Sequence, residues 1–162
     1  MRAVVQRVSE ARVDVDGRAV AAISSGLLVF LCAMQGDTGV DEMWIAQRLL
    51  SLRIFADAEQ KMNLSVQDVD GAGLLVVSQF TLSAQLSPGR SKGTRPSFGE
   101  AMPASAAEAA VDRVILVLRG SAPRLVIQTG IFGAHMQVHL LNDGPVTLCL
   151  DSRGCLDSRG AS

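Results

Sequence analysis

The sequence has no apolar run long enough to span a bilayer. Its longest, Leu27 to Met34, falls far short of the ~20 residues a membrane helix needs. Arg2 is followed by no hydrophobic leader and no cleavage site, so a soluble, cytoplasmic protein is expected. Cysteine is sparse and odd in number. Cys32, Cys149 and Cys155 are scattered, form no C-x-x-C pair and have no histidine at ligand spacing beside them. That pattern excludes a zinc ribbon and suits a reducing compartment, where disulfides do not persist. An excess of one charge is lacking as well. Fifteen Lys and Arg against 16 Asp and Glu give a net charge of -1, which removes the bulk signature of a non-specific nucleic-acid binder and leaves only local contacts to RNA.

What is present is apolar. Hydrophobic residues make up 48% of the 162 and charged residues 19%, so the chain folds around a core, and its length fits one domain. Ala3 to Val8, Arg12 to Val15, Arg18 to Ile23 and Leu27 to Ala33 read as strands, with Asp16-Gly17 as a hairpin turn. Leu27 to Ala33 is apolar on both faces, as a central strand is. Asp37-Thr38 caps a first helix from Val40 to about Arg53, with Met43, Ala46, Leu49 and Leu50 inward and Asp41, Glu42 and Arg48 outward. Ser105-x-x-Glu108 opens a second helix as a capping box, and Gly120 ends it. Leu74 to Leu82, Arg124 to Thr129, His135 to Leu141 and Val146 to Leu150 complete the strands. The expected class is α/β: one β-rich domain over residues 1–152, with antiparallel and mixed barrel-like sheets and two long helices. Strict βαβ alternation is absent, which argues against a doubly wound nucleotide-binding sheet. Ser83 to Pro103 lacks periodicity and reads as a functional loop. Leu-Asp-Ser-Arg-Gly occurs at 150–154 and again at 156–160, a duplication read as a frayed tail over residues 153–162.

Several segments carry candidate chemistry beside a simpler account. Ser78-Gln79-Phe80-Thr81-Leu82 ends an apolar strand in polar side chains. Alternation puts Gln79 and Thr81 on one face, where an amide and a hydroxyl can flank a polarised carbonyl, and leaves Ser78 and an anchoring Phe80 on the other. A strand emerging into solvent explains the same residues. Asn142-Asp-Gly-Pro-Val-Thr147 is a hairpin loop, or else the Gly144-Pro145 bond, cis at modest cost, presents a rigid carbonyl. Arg90, Lys92 and Arg95 beside Phe98 form a patch for phosphates and a base, or a solvated loop. His135 and His139 have the spacing of a helical zinc pair, yet their segment alternates with Met136, Val138 and Leu140 inward, so both face solvent. G-x-S-x-G is missing and neither histidine has a recognisable orienting partner, which disfavours a Ser-His-Asp triad. Arg7 is an exposed strand residue or a charge paired at a site.

Taken together, Met1-Arg-Ala-Val-Val-Gln-Arg-Val8, Arg53-Ile-Phe-Ala-Asp57, Lys61-Met-Asn-Leu64, Ser78-Gln-Phe-Thr-Leu82, Arg95-Pro-Ser-Phe98, Thr129-Gly-Ile-Phe-Gly-Ala134 and Asn142-Asp-Gly-Pro-Val-Thr147 resemble the D-aminoacyl-tRNA deacylases. The likeness runs from Met1 to about Ser152, and the Ser-Gln-Phe-Thr strand end and the Gly-Pro-Val-Thr turn are specific to that family. It implies a homodimer of β-barrel-like subunits that hydrolyses the ester joining a D-amino acid to the 3'-terminal adenosine of tRNA, with no metal or organic cofactor. By the resemblance, a cis Gly144-Pro145 reaches into the partner's pocket to exclude an L side chain, and Arg7 helps fix that dipeptide. Ser78, Gln79, Phe80 and Thr81 form the pocket strand, and Met136 lines its dimer side. Of the two mechanisms attached to the family, Thr81 as nucleophile or assistance by the RNA 2'-hydroxyl, the lack of a visible base favours the second. Backbone N–H groups near Phe80 and Thr81 then hold the oxyanion, and glycine is admitted beside D-amino acids. Arg90, Lys92 and Arg95 are expected at the acceptor stem. Cys32-Ala33 stands where the family tends to have Gly-Val, and the tail is longer than usual; neither departure is expected to touch a motif. A Ser/Thr esterase dependent on His135 and a non-catalytic module for tRNA ends or a protein partner are the competing classes.

Overall fold

The computed structural model describes residues 1–86 and 95–156, without the side chains of 155 and 156. In chain order its elements are β1 (Arg2–Val15), β2 (Arg18–Ile23), β3 (Gly26–Cys32), α1 (Gly39–Ser51), β4 (Phe55–Ala56), β5 (Met62–Leu64), β6 (Gly73–Ser78), α2 (Ala104–Ser121), β7 (Val126–Thr129), β8 (Gln137–Asp151) and α3 (Ser152–Leu156). Single 3-10 turns occur at Val66–Asp68 and Phe80–Ser83.

One mixed, nearly barrel-shaped sheet organises the molecule, as the sequence class anticipates. β1 carries β3 and then β2 along one edge and β8 along the other, all antiparallel. β3 continues to β6 and β6 to β7 in parallel, so α1 and α2 are the two crossovers that parallel pairing demands. β3 and β6 are central and apolar on both faces. Leu27, Val29 and Leu31 join Leu74 and Val76 in a core beneath Ile45, Leu49, Val114 and Leu118 of the helices. Leu28, Leu75 and Val77 pack on the opposite face with Val8 and Val13, inside the curve of the sheet.

Several boundaries differ from expectation. Thr38 does cap α1, but Asp41 and Glu42 are buried instead of outward. Asp41 accepts from the Thr38 N–H at 2.9 Å and from the Ser152 hydroxyl at 2.7 Å, while Glu42 takes a bidentate pair from Arg113 of α2 at 2.7 and 2.8 Å. Burial alone would raise the Asp41 carboxyl; the Ser152 and Thr38 bonds outweigh it and hold the group below its ordinary value. Met43 is exposed. α2 starts one residue before Ser105, with Pro103 at its cap and no side-chain capping bond, and it passes Gly120 to end at Ser121. The short hairpin β4–β5 has no periodicity to announce it; Asp57 stitches it by accepting from the Glu59 and Lys61 N–H groups at 2.9 and 3.0 Å and from the Asn63 amide at 2.9 Å.

Two corrections bear on function. β6 stops at Ser78 instead of running to Leu82, because its ladder with β3 ends at the Leu31–Ser78 pair. Asn142 to Thr147 is no hairpin. Both halves of β8 run antiparallel to β1 in the same direction, with Gln6 opposite Thr147 and Val8 opposite Asn142, so residues 143–146 bulge out opposite Arg7 alone. At the chain ends, the Met1 ammonium is buried and donates to Asp37 at 2.9 Å and Ser152 at 2.5 Å, and the Arg153 guanidinium of α3 lies 3.1 Å from the same aspartate. No helix among the described residues is long and apolar enough to cross a membrane.

Candidate active site

The end of β6 builds the first half of the site. Gln79 still donates its N–H to Leu31 O at 2.8 Å, after which β3 offers no further partner and the chain folds into the 3-10 turn Phe80–Ser83. The opening residues of a helix have no intrahelical acceptor for their N–H groups. Among the described residues, the N–H groups of Phe80 and Thr81 have no acceptor elsewhere either. The turn also breaks the expected alternation. Phe80 does not anchor a strand: the residue is 60% exposed and its ring meets Phe98 edge-on at 5.1 Å.

Ser78, Gln79, Phe80 and Met136 together line a cavity of about 530 Å³, with Met102 and Val111 on its helical side. Thr81 is not among the residues that line it; its hydroxyl accepts from the amide of Gln79, which is. No base among the described residues lies within hydrogen-bond reach of the Thr81 hydroxyl to take its proton, so its activation as a nucleophile has no visible agent. The Thr129-Gly-Ile-Phe-Gly-Ala134 motif shapes the opposite wall. A Cβ on Gly130 would sit 2.6 Å from Met136 Sδ, so glycine there admits the methionine to the cavity. His135 also lines the cavity and is exposed. His139 is exposed too but, contrary to expectation, has a carboxylate neighbour, Asp14, at 3.2 Å; it lies outside the cavity that holds Ser78, so no triad forms. Leu140, expected inward, is 38% exposed.

Cys32 is the second correction at this site. The departure from Gly-Val was expected to touch no motif, yet Cys32 lines the same cavity with its sulfur 3.6 Å from Phe80 O. Burial, with Asp37 adding, pushes its thiol above the ordinary value and keeps it protonated at neutral pH. Ser83 escaped the sequence reading altogether. It is fully buried, and its hydroxyl donates to Phe80 O at 2.7 Å; in sequence it is one more serine at the head of a polar loop.

The β8 bulge forms a second constellation. Arg7, only 13% exposed, is a paired charge: its Nε lies 3.0 Å from Asp143 Oδ2 and its Nη1 donates to Ile54 O at 2.5 Å. Asn142 braces the base of the bulge by donating to Arg7 O and Val146 O, both at 3.1 Å. Gly144 has φ +129, a region that favours glycine, and a Cβ there would meet Val146 Cγ2 at 2.7 Å. The Gly144-Pro145 bond is cis. None of Arg7, Gly144 and Pro145 lines the cavity of its own chain, so the two groups of residues lie apart within one subunit. Arg95 is exposed; Arg90 and Lys92 lie outside the described residues. Among the described residues, no three His, Cys, Asp or Glu side chains gather as metal ligands.

Comparison with known proteins matches residues 4–151 to a family model described as D-Tyr-tRNA(Tyr) deacylase. A D-aminoacyl-tRNA deacylase of Geobacter sulfurreducens is 49% identical over 153 residues, covering 94% of this chain and 96% of the relative. One from Thermotoga petrophila is 51% identical over 152 residues, covering 94% and 97%. A solved structure described as c-Myc DNA Unwinding Element Binding Protein superposes with TM-score 0.83 at 40% identity, over 93% of this chain and 98% of that one. A second, a probable eukaryotic D-amino acid tRNA deacylase, gives TM-score 0.72 over 93% and 98% at 18% identity, a likeness of fold alone.

Proposed function

This chain belongs to the D-Tyr-tRNA(Tyr) deacylase family and hydrolyses D-aminoacyl-tRNA, and we propose that it does so with the Phe80–Ser83 turn as oxyanion site and the β8 bulge of a second copy as chiral filter. The carrying observation is that the N–H groups of Phe80 and Thr81 have no acceptor among the described residues, in a turn whose first residue, Phe80, lines the cavity. The ester carbonyl of the 3'-terminal adenosine sits against them, and they stabilise the negative charge that develops as water attacks. The 2'-hydroxyl of the RNA assists that water. Thr81, held by Gln79, positions the substrate, while Ser78 and Met136 shape the walls. The scheme draws on backbone donors and the RNA's own hydroxyl and calls for no metal or organic cofactor.

Gly144 and Pro145 enter the partner's cavity on the Met136 side, and their carbonyls fill the space an L side chain would need. D-amino acids and glycine, which present only hydrogen there, are accepted. Three features support this cross-subunit reading. The bulge is braced by Arg7 and Asn142, it lies away from the cavity of its own chain, and it protrudes from β8, whose outer edge has no strand partner among the described residues. Arg95, with Arg90 and Lys92, meets the acceptor stem. Residues 1–152 form the deacylase domain, residues 153–162 a tail outside the chemistry, and the site of action is the cytoplasm. Deacylation of a D-aminoacyl-tRNA beside its L-isomer, with equilibrium sedimentation at the assay concentration, tests the whole reading. Equal rates on both isomers, or full activity as a monomer, would overturn it.

A further inference from the structure

We propose that Ser83 is a positioning residue for this reaction: its hydroxyl, seated beside the Cys32 thiol, anchors the Phe80 carbonyl and thereby aims the Thr81 N–H at the substrate. The inference rests on the reading of that N–H as an oxyanion donor. Phe80 C=O and Thr81 N–H belong to one planar trans peptide, so they point in opposite directions and fixing one fixes the other. The oxygen is fixed from inside. Ser83 is fully buried and donates to Phe80 O at 2.7 Å. Cys32, itself buried, has its sulfur 3.6 Å from the same oxygen. Two side chains thus close on the carbonyl end of one peptide, while the Phe80 and Thr81 side chains stand exposed. A carbonyl that accepts from the protein also polarises its own peptide and strengthens the N–H as a donor. Besides these side chains, a 3-10 turn of only four residues gives this carbonyl just its own i→i+3 backbone bond, whose geometry is poorer than an α-helix's.

Ser83→Ala tests the assignment. Removing an oxyanion donor costs 10²–10³ in kcat, so loosening one should cost roughly 10-fold, with KM for D-aminoacyl-tRNA unchanged. The amide proton of Thr81 should move upfield in a 15N-correlated spectrum, a change that a merely structural serine would not produce. Cys32→Ala should cost less alone and should add to the loss in the double variant. Should Ser83→Ala fail to fold, Ser83→Cys, a weaker donor on the same stem, carries the comparison and should fall between the two. An active wild type whose kcat and Thr81 shift are both unchanged in the variant overturns the anchor alone. An inactive wild type refutes the reading of the site, and the Thr81 shift then decides the anchor by itself.

Discussion

Two broken subunits should make one working site when mixed. Gly144→Ala damages the bulge: φ +129 costs a residue with a side chain about 1–3 kcal/mol, and its Cβ would lie 2.7 Å from Val146 Cγ2 and 2.9 Å from Val146 N, so the backbone must move. Phe80→Pro damages the cavity. It deletes the N–H proposed as an oxyanion donor at the first position of a 3-10 turn, where proline is tolerated. Each homodimer then has two defective sites, and Phe80→Pro should lose 10²–10³ in kcat. Phe80→Ala, which keeps the N–H, separates that loss from loss of the ring. On random 1:1 reassembly about half the dimers are mixed, and each has one site joining an intact turn to an intact bulge, so about a quarter of wild-type activity should return. If each site were complete within its own chain, no mixture would recover anything. The assay is D-aminoacyl-tRNA deacylation per subunit after co-refolding, with sedimentation to establish that mixed dimers formed. Mixed dimers without recovery would refute the cross-subunit site.

On the proposed mechanism, in which the side chain positions and does not attack, Thr81→Ala should lower kcat by less than ~10-fold; an acyl group trapped on Thr81 would refute RNA assistance. Asp57 is held below the ordinary carboxylate value by the Lys61 N–H first and then by Asn63 and Glu59, so its bonds stabilise the fold above pH ~4 and are lost as pH falls through the lowered value. Asp57→Asn should therefore lower Tm at pH 7, with the gap to wild type closing in acid; a gap that stays constant to pH 2 contradicts this linkage. Arg113→Met leaves the buried Glu42 carboxylate without its bidentate partner, so Tm should drop, and adding Glu42→Gln should restore part of it. Additive losses in that cycle would show that the pair is not coupled.

The regular parts of the fold were legible because they are governed by local pattern. Two-sided apolar runs as short as Leu27 to Leu31 and Leu74 to Val77, each with β-branched valine and preceded by glycine, fit central strands, and Thr38 before an amphipathic stretch can cap a helix by itself. Where a strand stops depends on how far its neighbour goes, and no periodicity contains that length. β3 turns away at Cys32, so β6 past Ser78 loses its ladder and curls into a 3-10 turn, although Gln79 to Leu82 alternates well enough to continue. β8 continues along β1 because β1 is fourteen residues long, and the turn-forming Asn142 to Thr147 becomes a bulge instead of a reversal. The two family-specific motifs fall on these two misread places for a physical reason. A paired strand spends its N–H and C=O groups on its neighbours and has none to offer a substrate. Where the ladder fails, the N–H groups of Phe80 and Thr81 are left without an acceptor among the described residues, and residues 143–146 stand outside the pairing with β1. Side chains such as Ser83, Arg7 and Asn142 must then hold those peptides in place of the missing ladder.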